Sequence, residues 1–375
     1  MSGIYIHIPF CKQACHYCDF HFSTSVQNKP AFLEALRKEI QMRSAYLNGD
    51  VVQTVYLGGG TPSLLSGKEL AAIFDELHKH FTIAADAEIT LEANPDDLTP
   101  IKLEELKQSP VNRLSIGIQS FREEDLCLMN RAHSATEAAE CVKIAQDKGF
   151  SNISIDLIYG IPGLSDDDWR KNLHQAAALK VNHISSYCLT VEPRTALADF
   201  IKKGKMAPAS DELSASHFKI LKEEMNWQDF IHYEISNFGK AGYFSRHNSN
   251  YWKGTHYLGL GPSAHSFNGY SRQWNIANNN LYIRALESGQ LSFEAETLTP
   301  GQQYNEYVMT SLRTIWGCDL TYIEQQFGEK MRTHCNEEAE FYLNSGNLVR
   351  RGNVLLLSDE GMLIADRISG DLFYT

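Results

Sequence analysis

The first half of the chain alternates between strand-like and helix-like segments, and this alternation restricts the possible folds more than any other feature. Strand-like runs are predicted at 4–8, 51–57, 88–92, 113–119, 152–159 and 183–191. Amphipathic helices are predicted between them at 31–46, 69–81, 101–108, 135–148 and 167–179. Consecutive β/α units of this kind are typical of an α/β fold built on a parallel sheet or barrel with right-handed crossovers.

The pattern changes after Val191. A helix is predicted at 212–226 and a strand at 230–237, whereas residues 239–280 show few clear periods. Further helices are predicted at 300–313, 319–327 and 331–343, followed by a hairpin at 348–357 and a terminal helix at 360–368. Helices followed by a hairpin are typical of a winged-helix-like α+β domain. We therefore predict a core at 1–200, an extension at 201–295 and a smaller C-terminal domain at 296–375.

The composition excludes several classes of protein. With 43% apolar and 11% aromatic residues, the chain can bury a large core, which excludes a disordered chain. The formal net charge of −12 gives no overall basic footprint for nucleic acid. No apolar run approaches the roughly 20 residues that span a bilayer, and the first ten residues lack the pattern of a secretory signal. We expect a soluble, cytoplasmic protein that binds no nucleic acid.

Three of the eight cysteines lie close together near the start of the chain. Cys11, Cys15 and Cys18 form a Cys-x3-Cys-x2-Cys motif directly after the first predicted strand. Three thiols cannot all pair as disulfides, but a short loop can wrap one face of a [4Fe–4S] cluster and leave one iron open to a small molecule. A zinc site with a distant fourth ligand and three unligated thiols are the alternatives. We predict that these cysteines are iron–sulfur ligands.

This motif, placed after the first of a series of β/α units, resembles the radical S-adenosylmethionine (SAM) superfamily. The resemblance implies a partial (β/α)6 barrel related to the TIM barrel, in which the open iron of the cluster chelates the amino and carboxylate groups of SAM. It also implies that an electron from the cluster cleaves SAM to a 5′-deoxyadenosyl radical. The whole chain is similar to the coproporphyrinogen-dehydrogenase-like group, and in particular to its heme-chaperone branch.

The resemblance extends to the loop Gly58-Gly59-Gly60-Thr61-Pro62, which follows the second predicted strand. Glycines let a backbone approach a ligand closely and expose its N–H and C=O groups. By resemblance, Gly59, Gly60 and Thr61 would cradle the amino group of SAM. An ordinary tight turn is the alternative.

Two tyrosines near the cysteines also match the family. Tyr5, in the first predicted strand, resembles the SAM-contacting tyrosine of the family. Tyr17 lies inside the cysteine loop, where it would pack over the cofactor. An ordinary place in the aromatic core is the alternative for Tyr17.

Four polar residues complete the SAM-binding set that the resemblance implies. Glu92, Gln119 and Asp156 lie in or at the ends of predicted strands, and Arg131 follows the fourth. A carboxylate at the carboxyl end of a strand can accept a hydrogen bond from a ribose hydroxyl or an ammonium group. The alternative is a buried ion pair between Arg131 and a carboxylate.

A second motif, His-Asn-x-x-Tyr-Trp, begins at His247 and resembles the motif of the heme-chaperone branch. A neutral imidazole is a good axial ligand for heme iron, and the flat side chains of Tyr251 and Trp252 could pack on a macrocycle. We predict His247 as the heme ligand, with His256 and His265 as rivals. A structural turn beside core aromatics is the alternative.

The motif Gly259-Leu260-Gly261 could be mistaken for a dinucleotide fingerprint. It does not connect a predicted strand to a predicted helix, which a dinucleotide site requires. Close backbone packing is the interpretation we favour for these glycines.

The chain departs from the coproporphyrinogen dehydrogenases in two ways. Cys18 is followed by Asp19 and Phe20, so the further cysteine of those enzymes is absent, and so is the longer arm before the cluster. Both departures are typical of the heme-chaperone branch. The resemblance therefore implies a protein that binds the cluster, SAM and heme and passes heme to an acceptor protein, with an oxygen-independent coproporphyrinogen III oxidase as the alternative and a radical SAM enzyme for another substrate as a third possibility.

Overall fold

The structure is a computed structural model that describes residues 2–374. Its strands are β1 (Ser2–Ile8), β2 (Val52–Gly59), β3 (Ile83–Ala93), β4 (Arg113–Gln119), β5 (Ile153–Tyr159), β6 (His183–Cys188), β7 (Ile231–Glu234), β8 (Asn237–Gly239), β9 (His256–Leu260), β10 (His265–Phe267), β11 (Ser271–Asn275), β12 (Phe293–Thr297), β13 (Cys318–Asp319), β14 (Leu348–Arg351) and β15 (Val354–Leu357). Its helices are α1 (Lys29–Met42), α2 (Gly67–His80), α3 (Pro100–Lys107), α4 (Glu123–Leu128), α5 (Ala135–Asp147), α6 (Asp166–Ala178), α7 (Ala196–Lys202), α8 (Asp211–Trp227), α9 (Arg246–Trp252), α10 (Asn279–Glu287), α11 (Pro300–Leu312), α12 (Leu320–Phe327), α13 (Glu329–Asn344), α14 (Asp359–Met362) and α15 (Ala365–Asp371).

One large sheet has the strand order β12-β11-β10-β9-β1-β2-β3-β4-β5-β6-β8-β7. Strands β1 to β6 are adjacent in sequence order, and each pairs in parallel with the next. Strand β9 pairs in parallel with the other side of β1, and β8 pairs antiparallel with β6. The β/α strands therefore form an arc that extra strands extend, rather than a closed eight-stranded barrel. This arrangement confirms the predicted partial barrel.

The two faces of the arc differ in polarity. The isoleucines of β1 are fully buried in the main apolar core. Because successive side chains of a strand point to opposite faces, the intervening residues line the inside of the arc. There, Tyr56 donates to Glu92 and Ser115 donates to Asp156, each across two neighbouring strands. The inside of the barrel is therefore polar, unlike the packed apolar interior of most closed barrels.

Strand β9 is one of several elements that the sequence analysis missed, and glycines permit its position between β1 and β10. A Cβ on Gly259 would lie 2.0 Å from the carbonyl oxygen of His265. Gly261 has a φ of +93°, and a Cβ there would lie 2.5 Å from the carbonyl oxygen of His7. These contacts confirm close backbone packing as the reason for the two glycines.

The C-terminal part has its own sheet and its own core. Strand β15 lies between β13 and β14 in a separate sheet of three strands. Residues of α11, α12 and the hairpin form a second apolar cluster, with Tyr304, Val308, Leu320 and Leu355 among its fully buried members. Helices followed by a hairpin on a small sheet confirm the winged-helix-like fold class.

The helices of the structure are short. The predicted terminal helix is divided into α14 and α15, and Gly361 in α14 approaches Asn347 so closely that a Cβ would lie 2.0 Å from its carbonyl oxygen. The longest helix of the described residues, α8, has 17 residues. Across residues 2–374, no helix has both the length and the apolar content to cross a bilayer.

Candidate functional site

The cysteine loop follows β1 and is held by backbone hydrogen bonds. The amide of Cys11 donates to the carbonyl oxygen of Ser23 at 3.0 Å. The amide of Cys18 donates to the carbonyl oxygen of Cys15 at 3.3 Å, so the last two cysteines of the motif share a turn. All three thiols are free and half-buried. The loop therefore presents its sulfurs from a defined backbone.

Side chains fasten the middle of the cysteine loop to the segment after α4. Gln13 Nε2 donates to the carbonyl oxygen of Asn130 at 2.9 Å, and Asn130 Nδ2 donates back to the carbonyl oxygen of Ala14 at 2.8 Å. The His16 ring donates from Nδ1 to the carbonyl oxygen of Leu128 at 2.8 Å. Asn130 has a φ of +56°, a conformation that asparagine tolerates better than most residues. These bonds fix the loop against the end of α4.

The electrostatic surroundings of the three thiols differ. Burial raises the pKa of Cys11, against a hydrogen bond with Thr61, and burial raises the pKa of Cys18 to about 11. Arg131 Nη1 donates to the sulfur of Cys15 at 3.2 Å. Within residues 2–374, no three His, Cys, Asp or Glu side chains converge closely enough to hold a single metal ion. The protein alone therefore favours neutral thiols at Cys11 and Cys18, whose protons a metal would have to displace.

The glycine loop after β2 lies directly against the start of the cysteine loop. The amide of Thr61 donates to the carbonyl oxygen of Phe10 at 2.7 Å. A Cβ on Gly60 would lie 2.7 Å from that same oxygen, and a Cβ on Gly59 would lie 2.4 Å from the ring of His7. Gly59 also has a φ of +100°, which disfavours any other residue. The glycines are therefore required for this contact between the two loops.

Two carboxylates lie near each other inside the barrel. Glu92 accepts hydrogen bonds from Tyr56 Oη at 2.7 Å and from the amide of Gly59 at 3.1 Å. Burial raises the pKa of Glu92 to about 7, and the nearby Asp156 adds to the shift. Burial also raises the pKa of Asp156 to about 6, although Ser115 Oγ donates to it at 3.3 Å. Perturbed carboxylates that line a polar interior are typical of a binding site.

Arg131 connects the cysteine loop to the ends of β3 and β4. Besides Cys15, its guanidinium donates to Asn94 Oδ1 at 2.6 Å and to the carbonyl oxygen of Gly117 at 2.7 Å. Its hydrogen bonds within the described residues therefore do not include the carboxylate of the ion-pair alternative. Gln119 ends β4 with a φ of +68°, a strained conformation for glutamine. A Cβ on Gly117 would lie 2.8 Å from Gln119 Nε2, so this glycine makes room for the side chains of Gln119 and Arg131.

The two tyrosines predicted to contact SAM lie deep within this region. Tyr5 Oη donates to Nδ1 of His7 at 3.1 Å, because the other ring nitrogen, Nε2, must carry the proton that it donates to the carbonyl oxygen of His21 at 2.7 Å. Burial raises the pKa of Tyr5 and of Tyr17 above the usual range. The positive charge of Arg131 opposes this shift for Tyr17 by lowering its pKa. Both hydroxyls therefore stay neutral at physiological pH.

The residues predicted from the sequence to bind SAM are brought together at one place. Most of them lie on the cysteine loop, inside the arc or at the carboxyl ends of β1 to β5, and Arg131 reaches the same place from the segment between α4 and α5. The set comprises Tyr5, Tyr17, Gly59, Gly60, Thr61, Glu92, Gln119, Arg131 and Asp156. In parallel α/β folds this edge of the sheet is where ligands bind. Their individual roles stay predictions.

The structure places His247 nearer to the amino ends of the strands than the cysteine and glycine loops, with its ring 6.5 Å from that of Tyr5. Its Nδ1 lies 2.8 Å from Thr54 Oγ1 and its Nε2 lies 2.9 Å from Tyr251 Oη. The ring stacks on Tyr56 with centroids 5.1 Å apart, and a Cβ on Gly3 would lie 3.4 Å from it. Gly59 lies five positions after Thr54 on the extended strand β2, which corresponds to about 16 Å along the strand.

His247 is therefore closed to an external ligand in this conformation. The residue is only 2% exposed, and burial lowers its pKa to about 3, so the imidazole is neutral. A neutral imidazole is the form that binds iron, but both of its nitrogens already have hydrogen-bond partners. The predicted role of His247 as heme ligand stays a prediction, and it requires that the contact with Tyr251 be broken. The rivals His256 and His265 are exposed.

The sequence analysis missed three residues that organise this interior. Tyr56 connects Glu92 to His247, Asn94 accepts from Arg131, and Glu88 accepts from the backbone amide of His247 at 2.9 Å. The available signal was the alternation of β3, which places Glu88 and Glu92 on the same face of the strand. Nothing local in the sequence connects either carboxylate to a helix more than 150 residues away.

Sequence models of two known families match the chain, one in the barrel and one in the C-terminal part. The sequence model described as the Radical SAM superfamily matches residues 5–176, and the model described as the HemN C-terminal domain matches residues 298–364. Among solved structures, the Escherichia coli coproporphyrinogen III oxidase HemN, described as a radical SAM enzyme, superposes with a TM-score of 0.86 at 24% identity, over 99% of this chain and 90% of that one. This likeness shows that the chain has the same fold.

Curated relatives extend over nearly the whole chain. A protein of Mycobacterium tuberculosis strain H37Rv named heme chaperone HemW is 36% identical over 371 residues, which cover 98% of this chain and 93% of the relative. The Bacillus subtilis protein of the same name is 32% identical over 374 residues, which cover 99% and 98%. The Escherichia coli protein of that name is 37% identical over 265 residues, which cover 70% and 69%. The chain therefore belongs to the HemW family of radical SAM proteins.

Proposed function

We propose that the protein is a heme chaperone that binds a [4Fe–4S] cluster, SAM and heme and transfers heme to an acceptor protein. The observation that carries this proposal is the convergence of a free three-cysteine loop, a glycine loop and two perturbed carboxylates at one end of the barrel. Full-length similarity to proteins named heme chaperone supports the heme part. The proposed compartment is the cytoplasm, where thiols stay reduced.

Cys11, Cys15 and Cys18 would hold the cluster. Three of the four irons would each take one thiolate, so the three sulfurs need not converge on one point as the ligands of a single ion do. The cluster would supply an open iron and an electron. Arg131 would keep its bond to the Cys15 sulfur, which stabilises negative charge on that ligand.

The polar residues inside the barrel would hold SAM. Glu92 and Asp156 offer oxygen acceptors to its ribose hydroxyls or its ammonium group. Exposed backbone groups at Gly59 and Gly60 can approach the ammonium closely, since no side chain stands in the way. The rings of Tyr5 and Tyr17 would exclude water from the pocket. We propose the same pocket role for Thr61 and Gln119.

Heme would bind through the motif that begins at His247. Burial keeps this imidazole neutral, and Tyr251 and Trp252 add flat aromatic surface beside it. For His247 Nε2 to meet the iron, Tyr251 Oη must leave it. Heme binding would therefore accompany a local movement of α9, a helix of only seven residues.

We further propose a division of labour between three parts of the chain. Residues 1–200 would hold the cluster and SAM, 201–295 would carry the heme motif, and 296–375 would serve as a separate C-terminal domain. The second apolar cluster and the separate three-stranded sheet support the last boundary. At the first boundary, between residues 200 and 201, the two parts differ in their proposed function but are not separate structural units. Strand β9 of the extension joins the large sheet directly beside β1.

Anaerobic reconstitution followed by hemin titration tests the proposal. We expect about four irons and four sulfides per chain, saturable hemin binding and loss of the cluster when all three cysteines of the motif become alanine. Cys127→Ser, which alters an exposed cysteine outside the motif, is the matched control and should retain the cluster. Tightly bound zinc, or hemin binding that does not saturate, would contradict the proposal. Turnover of coproporphyrinogen to protoporphyrinogen would favour the oxidase instead.

A further inference from the structure

One tyrosine lies between the two sites of the proposed function. Tyr56 donates from Oη to Glu92 at 2.7 Å, and its ring stacks on His247 with centroids 5.1 Å apart and planes inclined by 27°. Its other neighbour, Tyr5, stacks at 6.2 Å. We call the three residues Glu92, Tyr56 and His247 the Tyr56 bridge. The bridge joins the candidate SAM pocket to the heme motif through direct contacts only.

The heme-motif end of the bridge is anchored by the same two strands that carry the SAM end. Thr54, two residues before Tyr56 on β2, contacts the His247 ring at 2.8 Å. Glu88, four residues before Glu92 on β3, accepts hydrogen bonds from the backbone amides of Arg246 and His247 at 3.0 and 2.9 Å. Strands β2 and β3 therefore carry both Glu92 and Tyr56 and the residues that hold α9.

Two glycines leave space for the bridge. A Cβ on Gly58 would lie 2.9 Å from the Tyr56 ring and 3.0 Å from the Glu92 carboxylate. A Cβ on Gly3 would lie 2.8 Å from Thr54 Oγ1 and 3.4 Å from the His247 ring. Close packing of this kind has few intermediate arrangements, so a displaced Tyr56 ring must displace its neighbours.

We propose that Tyr56 is a positioning residue that couples SAM occupancy to heme binding at His247. This inference rests on the proposed function, since it assumes SAM at Glu92 and heme at His247. A ribose hydroxyl or ammonium group that engages Glu92 competes with the Tyr56 hydroxyl for the same carboxylate. Release of that hydroxyl frees the Tyr56 ring, weakens its stack on His247 and lets the imidazole leave its buried position.

The coupling has a definite sign and works in both directions. SAM strengthens hemin binding, because it lowers the free energy needed to free His247. Thermodynamic linkage then requires that hemin strengthens SAM binding by the same factor. Couplings between sites typically amount to a factor of roughly 5 or more, and we expect at least this change in each dissociation constant.

The test measures both affinities on anaerobically reconstituted, full-length protein. Hemin dissociation constants are obtained by difference absorbance with and without saturating SAM, and SAM dissociation constants by equilibrium dialysis with and without hemin. In the wild type we expect each ligand to tighten the other by about fivefold or more. Tyr56→Phe keeps the ring and loses the hydroxyl. In this variant both ligands should still bind, but each should change the dissociation constant of the other by less than about twofold.

Tyr282→Phe is the matched control. Tyr282 is also buried and donates from Oη to a buried carboxylate, Glu39, at 2.7 Å, but on the far side of the barrel wall between α1 and α10. In Tyr282→Phe, SAM and hemin should strengthen the binding of each other by the same factor as in the wild type. Equal coupling in Tyr56→Phe and in the wild type would overturn the inference.

The wild-type measurement does not depend on any variant folding well. If both ligands bind but neither changes the affinity of the other, the coupling is refuted while the proposed function stands. If the wild type binds no SAM or no hemin, the proposed function itself fails, and the inference fails with it. A weakening in place of a tightening would also overturn the stated sign.

Discussion

The two ends of the barrel interior are built differently. At the carboxyl end, the thiols are free and half-buried, and the carboxylates of Glu92 and Asp156 have raised pKa values. At the amino end, the ring of His247 is enclosed, and its two nitrogens each have a partner. The comparison teaches that the thiols at the first end are partly exposed, whereas the imidazole at the second end is enclosed and would have to be freed before it could bind a ligand.

The backbone at the end of β4 is also unusual. Gln119, at the carboxyl end, is a non-glycine residue with a φ of +68°. Helix α9, at the amino end, begins with an ordinary serine cap, in which the Ser245 side chain accepts from the amide of Asn248. Strain that persists in a folded protein is commonly found at ligand sites, because the surrounding structure must hold it in place. The strained end is the one we assign to the cofactor.

The largest effect is expected where the two loops of the carboxyl end touch. In Gly60→Val, a Cβ would lie 2.6 to 2.8 Å from three backbone atoms of Ile8 and Phe10, so the cysteine loop must move. The free energy of unfolding should fall by about 3 kcal/mol, and reconstitution should yield almost no bound iron. Chemical denaturation and iron analysis measure both.

Gly370→Ala is the matched control for this substitution, because a Cβ there meets no atom within 4 Å. Normal iron content in Gly60→Val would show that the loop contact does not position the cysteines. The carboxyl end would then be less rigid than its geometry indicates.

A smaller effect is expected from Arg131→Lys. Lysine keeps the charge but cannot donate at once to Cys15, Asn94 and Gly117, as the guanidinium does. The lost hydrogen bonds join the cysteine loop to the ends of β3 and β4, and bonds to charged groups contribute about 1.5–3 kcal/mol, so the displaced site should bind SAM roughly tenfold or more weakly. Equilibrium dialysis of reconstituted protein measures the change, with Arg122→Lys at the Asp125 ion pair as control. Unchanged affinity at normal iron content would remove Arg131 from the site.

The pH dependence of SAM binding should show the perturbed carboxylates. The ionised carboxylate is the form that accepts hydrogen bonds at all its lone pairs, and its fraction rises as pH rises through the pKa of Glu92, about 7. SAM affinity should therefore be higher at pH 8 than at pH 6, by roughly tenfold. Glu92→Gln should bind more weakly and lose most of this dependence. A flat profile in the wild type would contradict the role of Glu92.

The smallest effect is expected at the amino end, from Tyr251→Phe. This change removes the hydroxyl that lies 2.9 Å from His247 Nε2 and leaves the aromatic ring. Because a typical hydrogen bond contributes about 1 kcal/mol net, hemin should bind roughly fivefold more tightly. Soret titration measures the affinity, and Tyr342→Phe in the C-terminal domain serves as control. Unchanged or weaker binding would show that the closed state does not limit access to His247.

Much of the fold and of the candidate site followed from local patterns. Six parallel strands were predicted from hydrophobic runs between amphipathic helices, and each overlaps an observed strand. That residues such as Glu92 and Asp156 share a site was expected from the resemblance to the radical SAM superfamily. The structure brings them together, although their roles stay predictions.

The sequence by itself determined the β/α order, the three-thiol loop and the glycines that must approach other backbone atoms, because these depend on neighbouring residues and on the absence of side chains. Only the tertiary structure decided that β9 lies beside β1, that Tyr56 bridges two motifs and that His247 is buried. The contact between Thr54 and His247 joins residues 193 positions apart. No local periodicity encodes such a pairing, since burial and hydrogen-bond partners are set by whichever distant segments pack into the same space.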